Sequence, residues 1–274
     1  MMVGTVTAIQ YRETCQPRRH LPLLAALLCS ALIAGLGWRL GALTGLGTLA
    51  AIGVGTLVIS GTGLPGLFAL GVFFAGSSAV SHLAPDRTAA FDAKGGRRDA
   101  VQVLANGGWA ALGALLPAAG LWVVTGALAA AAADTWATSI GGWSRTPPRD
   151  VRTFRPVTAG TSGGITLLGT TGAAAGAASV GLAAALMAHA PSLFPMALVV
   201  GMLGMLADSL LGATLQGRFH CDGCDLPTER RVHRCGRPSR QTGGLAWLTN
   251  DGVNAIATLI GAAGGLTARL VYGG

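Results

Sequence analysis

Eight apolar runs alternate along this chain with short polar connections, at about 21–38, 40–59, 64–82, 101–119, 120–140, 164–190, 193–215 and 249–271. Most approach the ~20 residues that an α-helix needs to cross the hydrocarbon layer. Charged residues make up 11% of the chain and hydrophobic ones 51%, where soluble domains run near ~25% charged. The fold expected is therefore all-α: a polytopic transmembrane helix bundle of about eight spans. Seven is the rival count, because Gly- and Ala-rich ends blur the boundaries. Residues 1–20 read as a polar N-terminal lead and 21–274 as a single integral-membrane domain. Arg18-Arg19 followed by Leu21–Ala34 has the look of a signal peptide, but residues 35–39 make a poor cleavage site, so this stretch reads as the first span. The 43 glycines recur at small-xxx-small spacing, as in Gly41/Gly45, Gly172/Gly176 and Gly261/Gly265, which lets membrane helices approach closely.

Arginine placement sets the orientation. Arg87, Lys94, Arg97 and Arg98 fall in the 83–100 loop, Arg145, Arg149, Arg152 and Arg155 in 141–163, and six further arginines in 216–248. The alternate connections near 60–63, 117–120 and 189–192 carry no Lys or Arg. All three basic loops are thus expected on the cytoplasmic side of the cell membrane, and the active site with them. Eight spans then put both termini outside, against Arg12, Arg18 and Arg19; the three-loop signal outweighs them. The net charge of +8 mostly reports these loops. No basic stretch is interleaved with base-stacking aromatics, so nucleic acid is not an expected partner.

Within the apolar background a few polar residues stand out. Lys94 is the only lysine among 19 basic residues and precedes a diglycine and Arg97-Arg98-Asp99. A lysine acts on phosphate as a compact point charge, an arginine as a planar fork. Asp134, Asp208 and Asp251 each lie near the same end of an apolar run. Such an acid costs ~2.5–3.5 kcal/mol at mid-span on insertion scales and usually faces a partner or a wet cavity. Helical spacing aligns Arg98/Gln102/Asn106, Asp134/Thr138, Asp208/Gly212/Gln216 and Asn250/Asn254 on single faces. Polar packing between helices accounts for each face singly and less well for all four. Gly160-Thr161-Ser162-Gly163-Gly164 is a glycine-rich turn before a helix, able to aim N–H groups at an anion. No P-loop is present. Cations, a glycine turn and carboxylates gathered at one membrane surface suit Mg²⁺-dependent phosphate handling, with the acids holding the metal.

Of five cysteines, Cys29 sits in an apolar run, while Cys221, Cys224 and Cys235 share one loop with His233. Four N/S ligands at C-x₂-C and H-x-C spacing suit a structural zinc site with no open position. Reduced thiols are the alternative; disulfides are disfavoured in a cytoplasmic loop.

Six ordered motifs carry a family resemblance: KGGRRDAVQVLANG (94–107), ADTWATSIG (133–141), GTSGG (160–164), DSLLGATLQ (208–216), the Cys/His loop and NDGVN (250–254). Together they resemble the integral-membrane family typified by transmembrane protein 19, which includes the plant phytyl-phosphate kinase of vitamin E synthesis. The resemblance implies a membrane kinase converting an isoprenoid monophosphate to the diphosphate with CTP or ATP and Mg²⁺. On that resemblance Lys94, Arg97, Arg98 and Gly160–Gly164 hold phosphates. Asp99, Asp134, Asp208 and Asp251 hold metal or orient the acceptor, supported by Asn106 and Asn254. The family often has Glu where this chain has Ser139. A transporter or flippase of a phosphorylated lipid or small anion is the competing reading. It is weakened by the absence of any evident internal repeat.

Overall fold

The computed structural model describes residues 21–85 and 96–272; the polar lead and Lys94 lie outside the described residues. Among the described residues the chain forms seven helices: α1 Leu23–Arg39, α2 Gly45–Leu83, α3 Ala100–Gly113, α4 Gly120–Gly141, α5 Leu167–Ala188, α6 Leu193–Thr214 and α7 Asn250–Tyr272. Five of them are long and apolar enough to cross a membrane, while α1 and α3 are shorter. At 1.5 Å per residue the 14 residues of α3 span only ~21 Å.

The seven helices carry the eight expected runs because α2 folds back on itself. A straight helix of its 39 residues would be ~58 Å long, yet both of its ends meet Arg98. Thr44 N–H donates to the Arg98 carbonyl at 3.0 Å, and Arg98 Nη1 donates to Ser78 Oγ at 3.3 Å. The reversal sits at Gly63, whose φ of 67° and ψ of −147° interrupt the helix two residues before Pro65. Positive φ is open to glycine without strain, and Pro65 removes an N–H that would continue the ladder. The two limbs lie side by side, so that a Cβ on Gly55 would touch Leu70 Cδ2 at 3.8 Å.

The bundle is built around α4. From Val123 to Ala133 every residue of this helix is buried, and α2, α3, α5, α6 and α7 all pack on it. A helix apolar on all sides belongs in an interior. Its alanines let the neighbours come close. A Cβ on Gly261 would strike Gly126 O, and one on Gly176 would lie 2.8 Å from Ala132 O. The small-xxx-small pairs Gly172/Gly176 and Gly261/Gly265 are thus true helix contacts. Gly41/Gly45 is not one: Gly41 occupies a turn with φ 75°, and nothing lies within 4 Å of a Cβ at either position. Large side chains point the other way, with Leu24, Leu32 and Leu46 between 66% and 76% exposed. Small residues inside and leucine outside is the pattern of a bundle whose solvent is lipid.

Among the described residues two long connections emerge at one end. The 142–166 connection carries a two-stranded pairing of β1 (Arg149–Asp150) with β2 (Gly164–Ile165). The 215–249 connection carries β3 (Arg218–Cys221), β4 (Leu226–Thr228) and β5 (Arg240–Gly243) in the order β4-β3-β5. The 142–166 and 215–249 connections meet through Ser162 and Glu229, and Pro85, the last residue described before the 96–99 stretch, lies beside Gly142.

Candidate functional site

A cavity of about 500 Å³ with polar walls opens where α4 and α6 end beneath the 142–166 connection. Asp134 and Thr138 enter it from α4, and Asp208, Gly212 and Gln216 from α6, while Gly160–Gly164 lies across the top. Two of the four helical faces marked by i, i+4 spacing therefore point into one chamber. At its base Asp134 and Asp208 share a side-chain hydrogen bond. Two carboxyl groups can do this only with a proton between them, or with a cation in its place. Asp208 Oδ2 and Gln216 Nε2 are buried and make no hydrogen bond. Such atoms are uncommon in native interiors and call for a missing partner.

The glycine turn has a defined seat. Gly160 and Gly163 adopt φ of 88° and 81°. A Cβ on Gly163 would lie 2.7 Å from Ser209 O, so the turn rests directly on α6 beside Asp208. Thr161 N–H bonds to Thr158 O and Gly164 N–H to Thr161 O, and among the described residues the Ser162 and Gly163 N–H groups have no backbone acceptor. Thr166 caps α5 by accepting from Gly169 N at 2.9 Å, and Thr166, Gly169 and Thr170 line the cavity. The positive end of a 22-residue helix thus faces the same space, which favours an anion there.

Two charged residues at or beside the chamber were not singled out from sequence. Arg145 stands at its rim. Glu229, which follows β4, accepts a hydrogen bond from Ser162 Oγ at 2.5 Å and is close enough to interact electrostatically with Asp208. Both sit in connections rich in charge, so sequence offered no reason to prefer them over their neighbours.

The remaining candidates lie elsewhere. Arg98, Gln102 and Asn106 share a face, as their spacing implies, but that face lines a separate groove between α1, α2 and α3. Arg97 donates through Nε and Nη2 to Leu43 O at 3.2 and 2.8 Å. Asp99 forms a capping box on α3: its carboxylate accepts from Gln102 N at 2.9 Å, and Gln102 Oε1 accepts from Asp99 N at 3.2 Å. Both residues thus hold the start of α3. On α7, Asp251 is buried and Asn254 Oδ1 has no hydrogen-bond partner; neither they nor Asn250 line the chamber. Ser139 pairs with Ser81 at 3.2 Å, joining α4 to α2.

The Cys/His loop does assemble. The ligand atoms of Cys221, Cys224, His233 and Cys235 all lie within 4.8 Å of one another and form a group able to hold a metal ion. Cys221 Sγ is 3.6 Å from Cys235 Sγ, and His233 Nδ1 is 3.2 Å from the latter. A tetrahedral zinc with Zn–S near ~2.3 Å places its sulfurs ~3.8 Å apart, whereas a disulfide needs ~2.05 Å; the cysteines are free. The compressed H-x-C spacing is accommodated by Gly236 at φ 81°, whose N–H bonds back to His233 O at 2.9 Å. His233 beside Cys235 holds that thiol down at about 6, while hydrogen bonding to Cys235 pushes Cys224 up to about 11. The thiolate favoured without a metal is that of Cys235.

No solved structure matches this chain. Over 223 residues it is 29% identical to Protein PGR of Arabidopsis thaliana, covering 69% of this chain and 76% of the plant protein. Over 179 residues it is 32% identical to the Uncharacterized membrane protein MJ0933 of Methanocaldococcus jannaschii, covering 64% of this chain and 63% of that relative, less than two thirds of its length. Residues 28–262 match the model of the integral membrane protein family DUF92. The resemblance drawn from the ordered motifs thus becomes a membership, and this multi-pass helical protein belongs to the DUF92 integral membrane family.

Proposed function

We propose that the chamber transfers a phosphoryl group from a nucleoside triphosphate, CTP or ATP, to an isoprenoid monophosphate, giving the diphosphate. The observation that carries this reading is the pairing of Asp134 and Asp208 beneath a glycine turn and a helix N-terminus. It sets cation ligands under an anion cradle within one cavity. Hard carboxylate oxygens suit Mg²⁺, and the buried, unpartnered Asp208 Oδ2 fits that donor set. Mg²⁺, when bound there, supplies charge neutralisation for phosphate oxygens. Asp134 and Asp208 would hold it. Gly160, Thr161, Ser162, Gly163 and Gly164 would orient the phosphates through free N–H groups and hydroxyls, with the α5 N-terminus behind them. Gln216 donates from the wall, and Arg145 at the rim meets the negative charge of an entering nucleotide. An oxygen of the acceptor monophosphate attacks the γ-phosphorus, the bond to the β-bridging oxygen breaks, and the nucleoside diphosphate leaves with the electron pair. Catalysis of this kind needs positioning and charge, with little covalent work by the protein.

The same reading places the chamber and its three arginine-bearing connections on the cytoplasmic side, where nucleotides are. It assigns the Cys/His loop a structural zinc held by Cys221, Cys224, His233 and Cys235. Purified protein with Mg²⁺ and a panel of prenyl monophosphates should yield the diphosphates with CTP or ATP, read by mass spectrometry. Folded protein that turns over no pairing of donor and acceptor would refute the assignment.

A further inference from the structure

The groove that takes Arg98, Gln102 and Asn106 has no part in the phosphate chamber. The C-terminal limb of α2 stands between them, reaching Arg98 through Ser78 on one side and Ser139 of α4 through Ser81 on the other. Its walls are apolar and come from α1, both limbs of α2, and α3: Ile33, Ile59, Leu70, Phe73, Phe74 and Val103, with Gly71 among them. The Arg98 guanidinium closes its mouth. It lies 5.9 Å from the centroids of both Phe73 and Phe74 and donates to one neutral hydroxyl, Ser78 Oγ. Its charge is strongly desolvated, yet it makes no ion pair among the described residues. Cation–π contact recovers only part of what a desolvated charge without a counter-ion costs. Gln102 adds a second donor: its Oε1 is taken by Asp99 N–H, which leaves its amide NH₂ for the groove.

Position narrows the occupant. Arg98 lies at the end of the bundle that carries the basic connections, the level of lipid headgroups. Below it the groove runs along α1 and α2, the helices that expose Leu24, Leu32 and Leu46. Its volume of about 70 Å³ has room for part of one chain only. We infer that this groove binds one anionic phospholipid drawn from the bilayer, with its phosphate on Arg98 and Gln102 and one acyl chain between α1 and α2. The site is independent of phosphoryl transfer, and it is tested by binding alone.

Two substitutions separate the head from the tail. Gly71 lines the groove, and nothing lies within 4 Å of a Cβ there, so Gly71→Leu fills the space without disturbing the backbone. Arg98→Gln keeps a polar side chain and removes the charge. Gly53, also with nothing within 4 Å of a Cβ but outside the groove, provides the control Gly53→Leu. Protein reconstituted in nanodiscs of mixed phosphatidylglycerol and phosphatidylcholine is released into native mass spectrometry in EDTA, after its helicity and melting temperature are checked. Wild type and Gly53→Leu should retain one phosphatidylglycerol. Arg98→Gln should lose the preference for phosphatidylglycerol over phosphatidylcholine at least tenfold, and Gly71→Leu should lose retention of either lipid at least tenfold. A phosphatidylglycerol carrying a diazirine on one acyl chain should label peptides from 23–39 and 45–83. Retention unchanged in Gly71→Leu, preference unchanged in Arg98→Gln, labelling confined to 157–170, or displacement of the lipid by a stoichiometric prenyl monophosphate would each overturn the inference.

Discussion

Asp208→Asn is the substitution whose effect on stability should change sign with metal. In the metal-free protein Asp208 shares a hydrogen bond with Asp134 and has Glu229 nearby, so its position concentrates negative charge. The shared proton has to be held on folding, and keeping an ordinary carboxyl protonated at neutral pH costs ~4 kcal/mol; asparagine relieves that cost, because it needs no proton, and still donates to Asp134. The variant in EDTA should therefore be the more stable protein, and even ~1 kcal/mol of that relief raises the melting temperature by ~2–4 °C for a domain approaching this size. Wild type should gain ~2.7 kcal/mol when Mg²⁺ is raised to ~100 times its dissociation constant. The variant should lose most of that gain, because one of its two cation ligands is now neutral. Thermal unfolding in detergent, monitored by tryptophan fluorescence with EDTA and then with Mg²⁺, gives both numbers from one preparation. If the two acids only lock helices together, Asp208→Asn melts lower than wild type in EDTA and both proteins respond alike to Mg²⁺. That pair of results would refute the reasoning.

Four further outcomes follow from the same geometry. Gly163→Ala combines a positive φ of 81° with a Cβ against Ala213 and Ser209, so it should cost ~1–3 kcal/mol and abolish nucleotide-dependent turnover; normal turnover would detach the turn from the site. Gly261→Leu, set against the Gly126 backbone, should give no monodisperse protein by size exclusion, while Gly53→Leu behaves as wild type. Asp99→Ala should lower stability by ~1 kcal/mol through loss of the α3 cap and Asp99→Ser should restore both stability and turnover; a stable but inactive Asp99→Ser would return this residue to the chemistry. Purified protein should carry about one zinc per chain by elemental analysis, and Cys221→Ser should lose it and expose 216–249 to protease; a metal-free wild type with an equally resistant loop would remove zinc from the account.

How much was legible in the sequence depended on the range of the interaction. The eight runs were readable because hydropathy acts residue by residue. The doubling back of α2 was foreshadowed by Gly63 and Pro65 between two apolar stretches. The faces Asp134/Thr138 and Asp208/Gly212/Gln216 were readable because helical spacing fixes direction. What spacing does not fix is which faces meet. Arg98/Gln102/Asn106 reads as well as the others, but α3 turns it toward α1 and α2, because Trp109 and the backbone at Ala105 are committed to α7 through Trp109 Nε1–Ala255 O and Thr258 Oγ1–Ala105 O, at 2.9 and 2.7 Å. Asp99 was the harder case. An acid beside two arginines looks chemical, and its role as a cap appears only with the register of α3.

Glu229 ties the Cys/His loop to the chamber. It follows β4, whose partner β3 ends on Cys221, so the strand pairing that carries Glu229 toward Ser162 starts from a ligand of the Cys/His cluster. The ribbon has little apolar core of its own; Phe219, Cys221 and Thr228 are its buried residues among many exposed ones. Small units of this kind seldom hold their shape by burial alone and draw on metal for it. Ser162 sits in the glycine turn, and the turn sits on α6 beside Asp208. The Cys/His cluster is thereby connected to the glycine turn through one strand pair and one hydrogen bond. In the zinc reading, Glu229→Gln keeps the ribbon and a polar partner for Ser162, whereas Cys221→Ser releases the whole arm. Of the two, Cys221→Ser should cost more turnover, although it lies farther from the chamber.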